Sequence, residues 1–423
     1  MTDQKIIFLS FNELNFDYLK RYIEIDKLKN FKKIINELKI TTSEQEYQNL
    51  EPWIQWPTIY TGKKAEEHNI FRLGDVINSD HKTIFNDIED LGFDVGVVSS
   101  MNLKNNLSHP LYFIPDPWTQ TKPDNNFWSK LIHSTISKFV KKNSSLKINF
   151  LDLLSLSLII LKFAKIKNYF FYLNFIFTGF KYKWRQALFL DLLLNDIHLQ
   201  YFKNKKPNFS NVFFNGIAHI QHHFFFNSKV IENNELKNPE WYVEKNKDPF
   251  GEALKIYDKI LGDYLSRNDI KLILATGLTQ TPYDTVKFYY KIEKHEEFFS
   301  RLKIDYVNIQ ELMSRDFIIY FYSEKHAKNA ETILRNLKLN SKKIFKIDNR
   351  GLNLFITLVY PEEIKKNELL ESSNIELYKY VSFVAVKNGM HNEKGFYYDN
   401  FSKNIKSTIK ISEIKNIILK IFN

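Results

Sequence analysis

The chain has 423 residues, of which 44% are hydrophobic and 16% aromatic, so an intrinsically disordered chain is excluded because enough apolar surface can be buried. No cysteine is present, which excludes disulfides and thiolate ligands and leaves His, carboxylate and amide groups to hold any metal. The formal net charge of +11 predicts a basic surface, which favours anionic partners.

Two further classes are disfavoured by the absence of motifs. No helix-turn-helix, zinc-finger or RNA-binding motif is found, which argues against specific nucleic-acid binding. The segment 1–14, MTDQKIIFLSFNEL, has a short apolar run without a small-residue cleavage site. We interpret it as a first strand, not a signal peptide, and predict a cytoplasmic protein.

The apolar run from Lys5 to Phe11 predicts a strand buried on both faces. It places Asn12 and Glu13 at its carboxyl end, where ligands gather in open α/β sheets. An alternative for Asn12 is that it caps the following helix, predicted from Asn15 to Leu38.

The stretch 51–75, EPWIQWPTIYTGKKAEEHNIFRLGD, predicts a helix that Gly62 ends. The start of a helix offers unpaired N–H groups and a positive dipole end, which suit a phosphate or sulfate oxygen. A second helix from Lys82 to Leu91 and a buried strand from Phe93 to Ser99 follow. This alternation is typical of a doubly wound α/β fold.

The pattern becomes purely helical between residues 126 and 204. None of its apolar segments reaches the roughly 18 uninterrupted apolar residues that a membrane span needs. We interpret the region as a helical insertion that caps the mouth of the core. The alternative is peripheral contact with a membrane or a lipid carrier, because basic residues flank the apolar faces. These residues are Lys162, Lys165, Lys167, Lys181, Lys183 and Arg185.

Three histidines follow the next predicted strand, in SNVFFNGIAHIQHHFFF (210–226). The strand ends at Asn215, and on the helix after it His219 shares a face with His222 and His223. Imidazole is a common metal ligand and a natural proton carrier near neutral pH, so the group is predicted to be functional. Gln221 points elsewhere on this helix and is a candidate donor to a substrate oxygen.

The last third of the chain begins with a predicted strand, Lys271 to Ala275, which leads into Thr276-Gly277-Leu278-Thr279-Gln280. Residues 316–380 alternate strand and helix and predict a small α+β region. Gly389-Met390-His391 and Gly395 come after it.

In this order the segments resemble the alkaline phosphatase superfamily, which includes type I phosphodiesterases, nucleotide pyrophosphatases and sulfatases. The resemblance is carried by Trp56, Thr61-Gly62, His68-Asn69-Ile70, Asn215 with His219, and His391 with Gly395. It implies a mostly parallel central sheet with helices on both faces. The core would lie in two parts, 1–125 and 205–423, separated by the cap at 126–204.

The resemblance also implies a metal site with altered ligands. Asn215, His219 and His391 would hold one divalent ion, Zn or Mn. The second metal site of the superfamily is expected to be lost, because Thr276 and Gly277 occupy the positions of its Asp and His, and these residues cannot replace a carboxylate and an imidazole. Asn12 stands where the superfamily has a metal-binding Asp, and the neighbouring Glu13 is the candidate to replace that ligand.

The implied activity is hydrolysis or transfer at a phosphate, phosphodiester or sulfate ester, with surface-polysaccharide or lipid-linked sugar metabolism as the setting suggested by analogy. The substrate would be an anionic small molecule or glycan. Glu13 or His222 would be the general acid or base. The nucleophile position falls at Glu51 or Pro52, neither a hydroxyl, so Thr58 is the candidate, with packing or capping as its alternative role. The side chains expected to orient the substrate are Asn12, Gln55, Trp56, Gln221 and Gln280.

A second hypothesis belongs to another class. The chain would be a non-catalytic descendant that binds a sugar or phosphate ligand or scaffolds a polysaccharide-assembly complex. The missing acids favour this hypothesis, whereas the dense group of His, Gln and Glu favours an enzyme.

Overall fold

The computed structural model describes residues 4–46, 49–141, 149–232, 235–312, 315–371, 373–402 and 407–422. Within these residues, no helix combines the length and apolar character that crossing a membrane requires.

The strands of the described residues are β1 (Ile6–Phe11), β2 (Lys39–Thr42), β3 (Val95–Val98), β4 (Tyr112–Ile114), β5 (Phe209–Phe214), β6 (Lys271–Ala275), β7 (Thr279–Ile292), β8 (Asn308–Glu311), β9 (Asp316–Tyr320), β10 (Lys338–Leu339), β11 (Lys342–Lys343), β12 (Phe345–Asn349), β13 (Asn353–Leu358), β14 (Val381–Asn392), β15 (Lys394–Asp399) and β16 (Thr408–Lys410). The α-helices are α1 (Phe16–Tyr22), α2 (Lys29–Ile34), α3 (Pro52–Thr61), α4 (Ala65–His68), α5 (Ile84–Asp90), α6 (Phe127–Lys141), α7 (Phe150–Phe163), α8 (Tyr169–Thr178), α9 (Trp184–Lys205), α10 (Gly216–Phe224), α11 (Pro249–Leu265), α12 (His295–Arg301), α13 (Glu324–Asn336) and α14 (Ile414–Leu419).

The central sheet has the strand order β16-β2-β15-β6-β1-β5-β3-β4. All of its strand pairs are parallel except those of β15, which runs antiparallel to β2 and β6. The strand β1 lies between β5 and β6 in the middle, and all six of its residues are buried. The predicted α/β fold with a mostly parallel sheet is therefore confirmed.

Helices cover both faces of this sheet, as predicted. Alternate residues of β1 enter two different cores: Ile7 and Leu9 pack with α1, α9, α10 and α11, whereas Ile6 and Phe8 pack with α3, α5 and α14. This alternation follows from the two-residue period of a strand.

The helices α6 to α9 occupy most of the region predicted as an insertion. α9 packs directly on β3 and β5. Its side chains Leu192 and Ile197 belong to the same core as β1, so this helix is part of the layer that covers the sheet.

The C-terminal part adds antiparallel structure. A four-stranded sheet of order β12-β13-β9-β8 packs with α13 around a third core, and β7 pairs with β14 in a long two-stranded ribbon. The ribbon passes over α10 and carries His391 near its end.

One local prediction is wrong. The single helix expected from Asn15 to Leu38 is two helices, because Lys27 between them adopts a left-handed φ of 52°. Thr279–Ile292, for which the sequence predicts no element, forms the long strand β7.

Candidate metal centre and active site

The carboxyl ends of β1, β5 and β6 meet at one edge of the sheet, as parallel strands require. Glu13 follows β1 with a left-handed φ of 60°, which is uncommon for a residue with a side chain. Its N–H donates to the Thr276 carbonyl at 3.0 Å, and its own carbonyl accepts from Gln221 Nε2 at 2.8 Å. These two bonds hold the strained backbone in place.

The carboxylate of Glu13 meets two imidazoles. Its Oε2 lies 3.1 Å from His222 Nε2 and 3.3 Å from His391 Nε2, and the two Nε2 atoms are 3.3 Å apart. His222 comes from α10 and His391 from β14, so three distant segments supply one atom each. We call this trio the Glu13–His222–His391 cluster.

The cluster has the chemistry and spacing of a zinc ligand set. Two ligand atoms each about 2.1 Å from a zinc ion at the tetrahedral angle lie about 3.4 Å apart. The three observed separations are close to this value. Two His and one Glu with an open fourth position is a known ligand set for catalytic zinc. The residues present therefore fit a divalent ion.

Contacts with Leu50 and Glu51 orient the ring of His391. The Leu50 backbone carbonyl accepts a hydrogen bond from His391, and His391 Nδ1 lies 3.5 Å from Glu51 Oε2. A proton on Nδ1 leaves the Nε2 lone pair directed at the cluster, which is the arrangement that ligating histidines need.

The two carboxyl groups of the site have opposite pKa shifts. Burial alone would raise the pKa of Glu13, but the imidazoles of His391 and His222 hold it well below its usual range. Burial raises the pKa of Glu51 to about 7, and the charge of Glu13 adds to this rise. The pKa of His391 is raised by Glu13 and Glu51 despite its burial.

The five side chains predicted to contact substrate are all buried and hydrogen bonded within the protein. Trp56 Nε1 donates to Asn12 Oδ1 at 2.7 Å, and Asn12 Nδ2 donates to Glu13 Oε1 at 3.0 Å. Gln280 Nε2 donates to Glu13 Oε2 and to the Ala218 carbonyl. Glu13 is therefore held in place by a hydrogen-bond network of four of these side chains: Asn12, Trp56, Gln221 and Gln280. The sequence predicted that they would contact the substrate instead.

Gln55 lies apart from this network. Its Oε1 accepts from Ser43 Oγ at 2.7 Å, and its Nε2 donates to the Asn49 carbonyl at 3.3 Å. Both ends of the amide are therefore used to hold the segment before α3.

Thr58, the candidate nucleophile, is also outside the cluster. Its hydroxyl donates to the Ile54 carbonyl at 3.0 Å and lies 3.0 Å from His68 Nε2. His68 Nδ1 accepts from the Ile70 N–H, and burial lowers the pKa of His68 to about 4, so the ring is neutral and donates to Thr58. This arrangement matches the packing role that the sequence left as the alternative.

Of the three predicted metal ligands, the structure brings only His391 into the cluster. Asn215 Oδ1 accepts from Asn12 Nδ2 at 2.8 Å. The described ring contacts of His219 are with His223 and Phe224, and burial lowers the pKa of His219 to about 4. His222 takes the ligand position expected for His219, because α10 turns that side of the helix toward Glu13.

Two residues near the cluster were given no role from the sequence. Glu51 lies at the N-terminus of α3, at the position where the resemblance implies a nucleophile, but its side chain is a carboxyl group and not the expected hydroxyl. Lys387 lies on β14 four residues before His391 and acts electrostatically on Glu51. The position of Glu51 before Pro52, at a helix start, is the signal that could have identified it.

No family model and no curated protein matches the chain. Solved structures do: a phosphonoacetate hydrolase from Sinorhizobium meliloti 1021, in complex with phosphonoacetate, is similar with a TM-score of 0.47 and 9% identity over 100% of this chain and 96% of that one. Murine ectonucleotide pyrophosphatase/phosphodiesterase 5 is similar with a TM-score of 0.43 and 13% identity over 99% of this chain and 95% of that one. The human form of that protein is similar with a TM-score of 0.43 and 12% identity over 99% of this chain and 95% of that one.

Proposed function

We propose that this chain is a metal-dependent hydrolase or transferase that acts on a phosphate ester or phosphodiester. The observation that carries the proposal is the Glu13–His222–His391 cluster, three ligand atoms at zinc-like spacing, with the carboxyl group of Glu51 beside it.

The ligand set favours zinc over manganese. Imidazole nitrogen suits zinc, whereas manganese prefers oxygen ligands. When bound, the ion would act as a Lewis acid on a phosphoryl oxygen. The buried amides of Asn12 and Gln280 would hold Glu13 in the orientation that this role needs.

Glu51 is assigned as the general acid. With a pKa of about 7, its carboxyl is about half protonated near neutral pH, where proton transfer is most efficient. Its side chain is 32% exposed, so a substrate can reach it. We assign it to protonate the leaving-group oxygen, a role that the sequence gave to Glu13 or His222.

Basic side chains next to the site would attract the anionic substrate. Lys387 pairs across the ribbon with Lys287, and its Nζ lies 3.8 Å from the centre of the Tyr283 ring. Burial and the neighbouring charges of Lys287 and Arg315 lower the pKa of Lys387, and Asp284 and Glu51 oppose this shift. A phosphate would relieve the repulsion among these cations.

The test combines metal analysis with a substrate panel. Purified protein is expected to contain zinc and to cleave a nitrophenyl phosphate or phosphodiester, and His391→Ala and His222→Ala should lose both properties. His219→Ala is the matched control on the same helix, and it should keep the metal. A metal-free protein that is inert to phosphate, phosphodiester and sulfate esters, yet is stabilised by a sugar or phosphate, would support the non-catalytic alternative instead.

A further inference from the structure

The helices α7 and α8 expose an unusual amount of apolar surface. Phe150 and Leu161 on α7, Ile166 in the connection, and Phe170, Phe177 and Phe180 on or just after α8 each leave more than 70% of their surface exposed. So many exposed apolar side chains within 31 residues, 150–180, indicate an interaction site, because exposed hydrophobic residues are common singly but not in such number. We call it the α7–α8 apolar surface.

The exposed residues follow the helical period. On α7, Phe150, Leu154, Leu158 and Leu161 recur at spacings of four, four and three, so they share one face. The opposite face is committed to the protein, since Ile159 and Phe163 are buried in the core.

The same division holds for α8. Phe170, Leu173 and Phe177 share an exposed face, whereas Tyr172 and Phe175 are buried in the core. Each helix therefore packs one face against the protein core and exposes an apolar face to solvent. This is the pattern of a helix that lies on a membrane surface.

The segment that carries this surface is basic. Residues 149–183 contain five lysines and a single acid, Asp152, a formal net charge of +4. Asp152 is buried and paired with Lys138, so it does not offset the exposed lysines. Lys165, Lys167 and Lys181 are paired with acids of other segments, whereas Lys162 is exposed.

We propose that the α7–α8 apolar surface docks onto the surface of an anionic lipid bilayer. Apolar side chains would enter the boundary between headgroups and acyl chains, and lysines would contact anionic headgroups. A second copy of the chain fits less well, because a two-fold contact through this surface would bring the lysines of both copies together.

The experiment uses flotation of the full chain with vesicles of phosphatidylcholine, with or without phosphatidylglycerol. We expect binding to the anionic vesicles that weakens in high salt. The double variant Leu161→Gln/Phe177→Gln should lower the partition coefficient by about tenfold or more, because two apolar side chains no longer leave water. Both residues are highly exposed, so the variant should fold, which its melting temperature checks.

The matched control changes exposed hydrophobic residues elsewhere. Tyr322→Gln/Leu352→Gln alters two exposed side chains of the C-terminal region and should leave binding unchanged. The proposal would be overturned if the wild-type chain bound neither kind of vesicle, or if the two double variants bound the anionic vesicles equally well. It would also be overturned by a dimer in lipid-free solution that Leu161→Gln/Phe177→Gln dissociates and the control variant does not. The last result would assign the surface to a second copy.

Discussion

At the scale of single residues, the two carboxyl groups of the site take different roles because their surroundings differ. Glu13 lies beside two imidazoles and stays ionised, whereas Glu51 is half-buried near the charge of Glu13 and has a pKa of about 7. Paired carboxyls with separated pKa values are typical of sites where one holds charge and the other moves a proton.

The first prediction concerns Glu51. Because the protonated form is the proposed acid, kcat/KM should be level below pH 7 and fall about tenfold per pH unit above it. Glu51→Gln should lower kcat/KM by about 10²-fold to 10⁴-fold and remove this dependence. Initial rates measured from pH 5 to 9 check both effects, with unchanged metal content as the control. A variant that keeps the wild-type pH profile would exclude Glu51 as the acid.

The second prediction separates ligands from neighbours. His222→Ala and His391→Ala should each weaken zinc binding by at least about a hundredfold, since even outer partners of a zinc site are worth 10-fold to 100-fold. Competition with a chromophoric chelator measures the affinity. Loss of zinc from His219→Ala alone would instead support the ligand set predicted from the sequence.

Much of the site could be named from the sequence, but not the part each residue plays. Glu13 and His391 follow from strand-end position and motif order, and His222 from the density of histidines. Which imidazole of α10 faces Glu13 depends on the rotation of that helix against β14, which no local pattern specifies. The sequence also predicts substrate contacts for amide side chains that are instead bonded within the protein. Their partners lie up to 267 residues away in the chain, so no local pattern indicates these bonds.

At the scale of elements, the close approach of β14 to α10 positions His391. Gly389 allows this approach, because a Cβ there would lie 2.0 Å from Gln280 Oε1 and 2.8 Å from the Gln221 carbonyl. A side chain at this position must push the ribbon away from the helix.

The third prediction follows from this contact. Gly389→Ala should destabilise the fold by about 1–3 kcal/mol, the usual cost of overpacking, and should weaken zinc binding because His391 moves with the ribbon. Thermal unfolding and zinc titration measure the two effects. Gly92→Ala is the control: its φ of 84° is unfavourable for alanine but no atom lies within 4 Å of the added Cβ, so it should cost stability without loss of zinc. If Gly389→Ala binds zinc as the wild type does, the ribbon does not position His391.

The ribbon itself was the element that sequence reasoning missed. The second half of β7 alternates Val286, Phe288, Tyr290 and Ile292 as a strand should, but Pro282 and Asp284 in its first half are typical of loops. Its partner β14 comes about a hundred residues later, so the pairing that stabilises it has no local signal.

At the scale of the whole molecule, the sheet is covered on both faces, and several histidines are buried as neutral rings. His198 is an example: its Nδ1 lies 2.8 Å from Tyr264 Oη and its Nε2 lies 2.7 Å from Ser210 Oγ. Burial lowers the pKa of His198 from 6.5 to about 3. As the pH falls, His198 is therefore protonated at a higher pH in the unfolded chain than in the folded chain.

The fourth prediction is the resulting acid sensitivity. The stability that His198 contributes is complete above pH 6.5 and is lost as the pH falls toward 3, at about 1.4 kcal/mol per pH unit. His198→Gln should be less stable than the wild type at pH 8, and the difference should shrink below pH 6.5. Urea unfolding across this range measures it, with exposed His109→Gln as the control. A difference that stays constant with pH would show that His198 is not held neutral.

The central claim is that distant segments of the chain meet in one metal centre. Anomalous diffraction at the zinc edge, from crystals of the purified protein, tests it most directly. The expected result is one peak about 2.0–2.2 Å from Glu13 Oε2, His222 Nε2 and His391 Nε2. A peak bound by Asn215 and His219, or a protein that binds no divalent ion when it is supplied, would contradict the account.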